Sequence, residues 1–157
     1  MSNHPPSMNH RSHYARLIVM MVLSFLVMYA FMYAMVDRWE NVYGNVNQFY
    51  MAGLMASPML LIEIVLMSTM YPNRRWNVLL CLGALFFMAA CWIGIREQAA
   101  VSDRQFIRSM IPHHAGAILM CEQTNLSDPE LQALCNEIVD SQRAEIAQMK
   151  ALLGEEI

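Results

Sequence analysis

The sequence has little charge and no basic run. Only 15% of its 157 residues are charged, whereas a soluble domain averages about 25%. The formal net charge is −3, and Lys150 is the single lysine. Nothing in the chain can therefore follow a phosphate backbone, and a polybasic membrane switch is excluded. The shortage of charge points instead to a lipid bilayer.

The sequence also lacks the motifs of common enzyme classes. It has no GxSxG nucleophile elbow, no P-loop and no GxGxxG phosphate turn. The Glu-x-x-His pairs that hold di-iron centres in helical bundles are absent too. We therefore predict that the protein is not an enzyme.

Three apolar runs are long enough to cross a bilayer. They cover residues 17–36, 49–70 and 78–95, and each spans roughly 30 Å at 1.5 Å per residue. The first run exceeds the 7–15 apolar residues, roughly, of a signal peptide, so it is predicted to be an uncleaved anchor. The prediction for residues 17–96 is a membrane domain of three helices.

The flanking charges give a small preference for one orientation. Arginines lie on both sides of the predicted spans, but Arg74 and Arg75 occupy a very short loop, where positive charge acts most strongly. We predict a bacterial inner-membrane protein with a cytoplasmic N-terminus and a periplasmic C-terminal region.

Residues 1–16 are polar, contain two consecutive prolines and show no hydrophobic period. Such a segment is predicted to be a disordered tail. Its metal-ligating side chains could sample a soft or borderline metal; they are His4, Met8, His10 and His13.

Residues 97–157 predict a soluble, antiparallel helical hairpin. Ser102 and Gln105 form a capping box that starts one helix at about 103–124. A second capping box from Ser127 to Glu130 starts another at about 128–153. Pro112 falls inside the first helix, where it removes an amide and should produce a kink.

Two helices alone bury too little apolar surface to fold stably. Each has an apolar stripe, so we predict an all-α protein in which two copies of the hairpin form a four-helix bundle by homodimerisation. The alternative is that the hairpin packs against the membrane helices of its own chain.

Met110, His113 and His114 predict a soft-metal site. On a helix these three side chains lie about 40–60° apart around the axis, measured from Met110, so they can converge. Thioether and imidazole together suit Cu(I) and Ag(I), whereas Zn(II) normally recruits Cys or carboxylates. The alternative is a structural histidine pair at a helix interface.

The second helix of the hairpin brings further donors to the same level. An antiparallel partner that reverses near Asp128 pairs residues whose numbers add to roughly 256. Gln142, Glu145 and Met149 then lie opposite the Met/His cluster. Met149 would add a second thioether, or be simple core, and Glu145 could orient an imidazole, with Gln142 beside it.

The same relation places Cys121 opposite Cys135. Outside the cytoplasm this geometry predicts a disulfide, and inside it two thiols that could bind copper or zinc. Cys81 and Cys91, in the third run, are predicted core residues.

The membrane runs contain one carboxylate and two methionine stripes. Glu63 is a functional candidate because an ionisable side chain within a span is seldom kept without a role. Met28, Met32 and Met35 in the first run, and Met51, Met55 and Met59 in the second, could line a Cu(I) path or serve as flexible packing.

The stretch DRQFIRSMIPHHAGAILM (103–120) resembles the opening of the ferritin-like family known as domain of unknown function 305. The stretch EIVDSQRAEIAQMK (137–150) is similar to its closing helix. Members are helical and usually exported, and some bind copper through Met and His. The resemblance implies a metal site of Met110, His113, His114 and Met149, with Met120 and Glu145 as further candidates.

The leading hypothesis is a membrane-anchored protein that binds copper, with silver or zinc as further possibilities, for storage, sequestration or handover. The rival is a membrane-bound module whose hairpin dimerises or docks a partner. A third interpretation is an ion transport assembly that uses Glu63 and the methionine stripes.

Overall fold

The computed structural model describes residues 10–154, and this part of the chain is all α-helical. Five helices follow one another: α1 His10–Phe31, α2 Val46–Leu66, α3 Arg74–Arg96, α4 Asp103–Gln123 and α5 Pro129–Leu153. Two short 3-10 helices, Met32–Met35 and Trp39–Asn41, link α1 to α2. The all-α prediction is confirmed.

Three of the helices are long and apolar enough to cross a membrane. The candidate spans are His13–Met35, Val46–Leu66 and Arg74–Arg96. Outside a bilayer their apolar side chains would face water over most of the α1 and α3 surfaces, because few residues of these two helices are buried within the protein. The three helices are therefore compatible with membrane association.

The first helix begins earlier than the predicted tail allowed. Residues 10–16 belong to α1, so the prediction of a disordered segment as far as residue 16 is wrong for them. Tyr14 explains the extension: its ring packs 5.4 Å from that of Tyr71, and its hydroxyl donates to Asn77 Oδ1 at 2.8 Å. Residues 1–9, with His4 and Met8, lie outside the described part.

Polar caps set the other helix starts. Asn45 accepts from the amide of Gln48 before α2, and Asn73 accepts from two amides at the start of α3. Each cap lies outside the apolar run, so both helices begin three or four residues before the predicted positions. The second helix also ends at Leu66 rather than at residue 70.

The α2 helix packs against both of its membrane neighbours, and small residues let it approach α3 closely. A Cβ atom on Gly53 would lie 2.6 Å from Cys91 Sγ, and one on Gly94 would lie 2.8 Å from the ring of Tyr50. Cys91 is buried in this contact and Cys81 packs on a second cluster around Leu60, both as free thiols.

Glu63 lies in the last turn of α2 rather than deep within the span. Its Oε1 accepts a hydrogen bond from the Tyr71 hydroxyl at 3.3 Å. Tyr71 is itself buried, in the same cluster as Leu17 and Leu60. Burial, followed by the neighbouring Glu63, raises the pKa of Tyr71, so its hydroxyl remains a donor to the carboxylate.

The two helices of the C-terminal region start at caps of their own. Ser102 accepts from the Gln105 amide at 3.4 Å, but the Gln105 side chain does not close the predicted capping box. Its Oε1 accepts instead from the amide of Val46, the first residue of α2. Before α5 the cap is Asp128 rather than Ser127, and Gly154 ends the helix in the left-handed conformation.

One face of the α4–α5 pair is covered by the chain itself. Ile111, Ala115, Ile118 and Ile146 form a buried cluster, against which Val36 and Tyr43 of the α1–α2 connection pack. We call these four residues the covered face. Of the two predicted ways to bury a hairpin stripe, packing on its own membrane region accounts for this face.

Candidate metal site

The α4 and α5 helices pack side by side with opposite chain directions. A disulfide joins Cys121 to Cys135 near the connecting segment, with their Cα atoms 5.3 Å apart. Arg143 pairs with Glu122 next to Cys121, and further along the pair His114 faces Glu145. The sequence relation that pairs residues adding to roughly 256 describes the Cys121–Cys135 and His114–Glu145 pairs, whereas the long side chain of Arg143 reaches a residue about two turns off this register.

A cavity of about 450 Å³ opens between the two helices. Four of the predicted metal-site residues line it: Met110 and His114 from α4, and Glu145 and Met149 from α5. Asp103, Phe106, Ile107, Gln148 and Leu152 complete the wall. The cavity therefore gathers two thioethers, one imidazole and two carboxylates, those of Asp103 and Glu145.

His114 is the most enclosed polar group of this cavity. Its side chain is 12% exposed, and its Nδ1 lies 3.1 Å from Glu145 Oε2. This distance satisfies an ion pair, but the two atoms are not aligned as a hydrogen bond, and Nδ1 is a buried atom without a hydrogen-bond partner in the described residues. This nitrogen therefore remains available to a metal ion.

Three effects set the pKa of the His114 imidazole. Burial lowers its pKa, the Glu145 carboxylate raises it, and His113 lowers it again; the net pKa lies below the usual value. The neutral form, which carries the lone pair that a metal requires, is thus favoured at neutral pH. The second oxygen of Glu145 is also engaged: Oε1 accepts a hydrogen bond from Ser141 Oγ at 3.0 Å, which orients the carboxylate.

The His114–Glu145 spacing suits chelation. Two donor atoms at about 2.0–2.2 Å from one ion, separated by an angle near 90–110°, lie roughly 2.9–3.5 Å apart. The 3.1 Å between Nδ1 and Oε2 falls in this range. Among the residues whose side chains the structure describes, no three His, Cys, Asp or Glu converge. Further protein donors in the wall are the two thioethers and the side-chain oxygens of Asp103 and Gln148.

The other predicted residues lie off the cavity. His113 is exposed, with its ring centroid 6.1 Å from that of His114. Met120 is 52% exposed, and neither it nor Gln142 contributes to the wall. Adjacent helix residues differ by about 100° in direction, so only one histidine of the pair can face α5.

Two polar wall residues were missed at the sequence level. Asp103 opens α4 and Gln148 precedes Met149 on α5, and both line the cavity. The spacing of Asp103, Met110 and His114, at steps of seven and four residues, was the available signal, because it places all three on one helix face.

Comparison with known proteins singles out this part of the chain. Residues 94–153 match the family described as a domain of unknown function (DUF305). The DUF305 region thus contains all of α4 and α5, together with every residue of the cavity wall. The family's description carries no activity, so it identifies the region and leaves its chemistry to the residues.

A second similarity extends beyond the DUF305 region. The chain is 28% identical over 145 residues to a protein of Acanthamoeba polyphaga mimivirus named "Uncharacterized protein L153". The match covers 88% of this chain and 91% of the viral protein, so it includes most of the candidate spans. No solved structure matches the chain.

Proposed function

We propose that the protein is a membrane-anchored binding protein for a soft metal ion, Cu(I) first and Ag(I) second, that acts in storage, sequestration or handover. The observation that carries the proposal is the cavity in which Met110, His114, Glu145 and Met149 meet. Thioether sulfur and neutral imidazole prefer Cu(I) and Ag(I), whereas Mg(II) and Ca(II) require a set of oxygen ligands. Zn(II) would use the His114–Glu145 pair but gain little from two thioethers.

The roles of the four side chains follow from their surroundings. The buried imidazole supplies a nitrogen without a competing hydrogen bond. The two thioethers come from different helices, so a bound ion would bridge α4 and α5. The carboxylate either completes the ligand set or neutralises the charge of the ion, and Ser141 fixes its orientation.

The disulfide supports a location for this site outside the cytoplasm. Such bonds persist in oxidising compartments and are rare where thiols are kept reduced. Cys121 and Cys135 lie in the same region as the cavity, beyond the third candidate span. This favours a C-terminal region on the outer side of the membrane; a bacterial inner membrane stays a prediction.

A Cu(I) titration tests the proposal. Full-length protein in detergent would compete for Cu(I) with a chromogenic chelator, and sub-micromolar affinity is expected. Met110→Leu should weaken binding at least tenfold, because it removes a thioether and keeps the volume. Met120→Leu is the matched control, since Met120 lies off the cavity. Absence of binding, or an equal loss in both variants, would overturn the proposal.

Dimerisation is a second candidate function, and the exposed apolar side chains of the α4–α5 pair favour it. We call this surface the open face; its side chains are Phe106, Met120, Leu131, Leu134 and Leu152, of which Phe106 and Leu152 line the cavity. A surface of this kind on a soluble part usually meets a partner. A second copy, anchored in the same membrane, would bury its own open face against this one in a two-fold arrangement.

The oligomeric state separates this candidate from metal binding alone. Leu134→Asp places a charge on the open face and should convert a dimer into a monomer without unfolding it, which light scattering in detergent would detect. Glu137→Gln, which lies on the same helix as Leu134, is the control and should leave the oligomeric state unchanged. A wild-type protein that is monomeric with and without Cu(I) would exclude the dimer.

The transport interpretation receives less support. Glu63 is at the end of α2 and is engaged by Tyr71. Met51 and Met55 point outward from α2, where they are exposed rather than converging on a path. A flux of metal ions into liposomes that is lost when Glu63 is substituted would support the transport interpretation.

A further inference from the structure

A second cavity lies where the α1–α2 connection meets α5. Its volume is about 190 Å³, and it shares no wall residue with the metal cavity. The connection contributes Asp37, Arg38, Glu40 and Asn41, and α5 contributes Arg143 and Lys150. Apolar atoms of Ile118 and Ile146 form part of the wall. Nothing in the metal-binding proposal uses this place.

Asn41, a residue of the cavity wall, has a buried side-chain oxygen without a hydrogen-bond partner among the described residues. The residue is only 5% exposed, and its Nδ2 donates to Asp37 Oδ1 at 2.6 Å. This bond fixes the amide, because a flipped Asn41 would set its oxygen against the carboxylate. The remaining atom, Oδ1, is buried and has no hydrogen-bond partner among the described residues. A buried acceptor without a donor is unfavourable, so a ligand with an N–H or O–H donor would stabilise this side chain.

The charges around this acceptor have both signs. Asp37 and Glu40 supply carboxylates beside Asn41, and Asp37 lies 3.9 Å from Arg38 Nε. Arg38 and Lys150 supply cations, while Arg143 is engaged by Glu122. A simple anion or cation would leave one set of charges unmatched. A zwitterion with an ammonium and a phosphate group matches both sets.

The position along the chain indicates where such a zwitterion comes from. Asp37 follows the first candidate span, His13–Met35, by two residues. Trp39 is 89% exposed beside the cavity, as expected of an indole at the membrane–water boundary. With the spans in a bilayer, the cavity is therefore at the level of the lipid headgroups.

We propose that this cavity binds the headgroup of a phospholipid that carries a primary ammonium, of the phosphatidylethanolamine type. The ammonium donates to Asn41 Oδ1 and faces Asp37 and Glu40, while Arg38 and Lys150 contact the phosphate. A quaternary choline has no N–H donor and cannot satisfy Asn41. The inference rests on the chain being embedded in a membrane and does not depend on metal binding.

Native mass spectrometry of the full-length protein in detergent tests this site. The probes are four phospholipids with identical acyl chains, in which the amine carries zero, one, two or three methyl groups. Retention should be highest for the unmethylated amine, and at least threefold higher than for the fully methylated one, which has lost every N–H donor. Equal retention of all four lipids would overturn the proposal, and this result needs no variant.

Variants assign the preference to the cavity. Asn41→Leu, checked for an unchanged melting temperature, should retain the amine and the choline lipid equally. Lys150→Gln should reduce the retention of both lipids by a similar factor, because both have the phosphate. Arg75→Gln, at the other end of the membrane region, is the control for the loss of one positive charge and should match wild type.

A competition assay identifies the source of the headgroup. Soluble phosphoethanolamine has the same ammonium and phosphate but no acyl chains. Because it lacks the apolar surface of the acyl chains, we expect it to displace the lipid only at a concentration about a hundredfold or more above that of a competing lipid. Displacement at equal concentration would overturn the assignment to a membrane lipid. A methylation preference that survives Asn41→Leu would overturn the assignment of that preference to this cavity.

Discussion

The two faces of the α4–α5 pair are built from similar side chains and are treated differently by the fold. On the covered face, Ile111 and Ile118 are sealed by Val36 and Tyr43. On the open face, Phe106 and Leu152 remain exposed around a cavity lined by two thioethers, an imidazole and two carboxylates. Apolar residues alone thus do not identify the core of a membrane-attached hairpin; the contact with the rest of the chain decides which stripe is structural and which is available for binding.

Truncation on the covered face is expected to have the largest effect. Ile111 is fully buried, so Ile111→Ala should lower the free energy of unfolding by about 2–5 kcal/mol through lost burial and a residual cavity. Leu152→Ala on the open face, where the side chain is 70% exposed, should change it by less than about 0.5 kcal/mol. Denaturant unfolding in detergent measures both. Similar losses in the free energy of unfolding of the two variants would contradict the distinction between the covered face and the open face.

Removal of the disulfide is the next largest perturbation. Cys121 and Cys135 are 14 residues apart, and closing a loop of about this length contributes about 3 kcal/mol, chiefly by restricting the unfolded chain. A Cys121→Ser, Cys135→Ser double variant should lose this stability, and a reductant should destabilise wild type but have no further effect on the variant. A reductant effect that persists in the variant would point to another bond.

Two variants distinguish the charge of Glu145 from the hydrogen bond that orients it, and both are expected to have smaller effects. Glu145→Gln keeps the shape but removes the charge opposite His114 Nδ1, so Cu(I) affinity should fall by about tenfold. Ser141→Ala removes only the bond that holds Glu145 Oε1 and should cost a few-fold at most. The competition assay with a Cu(I) chelator ranks the two variants. Equal losses would show that Glu145 acts through its orientation alone.

Acidification is expected to give the smallest effect. Burial lowers the folded-state pKa of His114 below its usual 6.5, so the unfolded chain takes up the proton at higher pH than the folded chain does. This contribution to stability is present above pH 6.5, roughly, and is lost as the pH falls through the folded-state pKa. In metal-free protein, the free energy of unfolding should therefore decline less with acid in His114→Gln than in wild type. Identical pH slopes would contradict the assigned shift.

The sequence was most informative where signals are local. Apolar runs predicted three spans, and the serine before α4 predicted the start of that helix at Asp103. The starts of α2 and α3 were misplaced because Asn45 and Asn73 cap the helices outside the apolar windows. The first helix extends further because Tyr14 contacts residues some 60 positions away, a contact that no local pattern reveals.

The candidate site was predictable in part for the same reason. Antiparallel register placed Glu145 and Met149 at the level of Met110, and Cys121 opposite Cys135, without any knowledge of the membrane region. The choice between His113 and His114 depends on the rotation of α4 about its axis. That rotation is set by the contacts of Ile111 and Ala115 with the α1–α2 connection, which only the folded chain supplies.

The join between α2 and α4 has a mechanical consequence. The Gln105 side chain receives the first amide of α2, and Asn45 reaches, at 3.5 Å, the Arg108 carbonyl that Pro112 leaves without its helical donor. Tilting the hairpin away from the membrane would break both contacts at once, next to a layer that offers few replacements. These two contacts therefore couple the position of α4 to that of α2, so a movement of one helix is expected to displace the other.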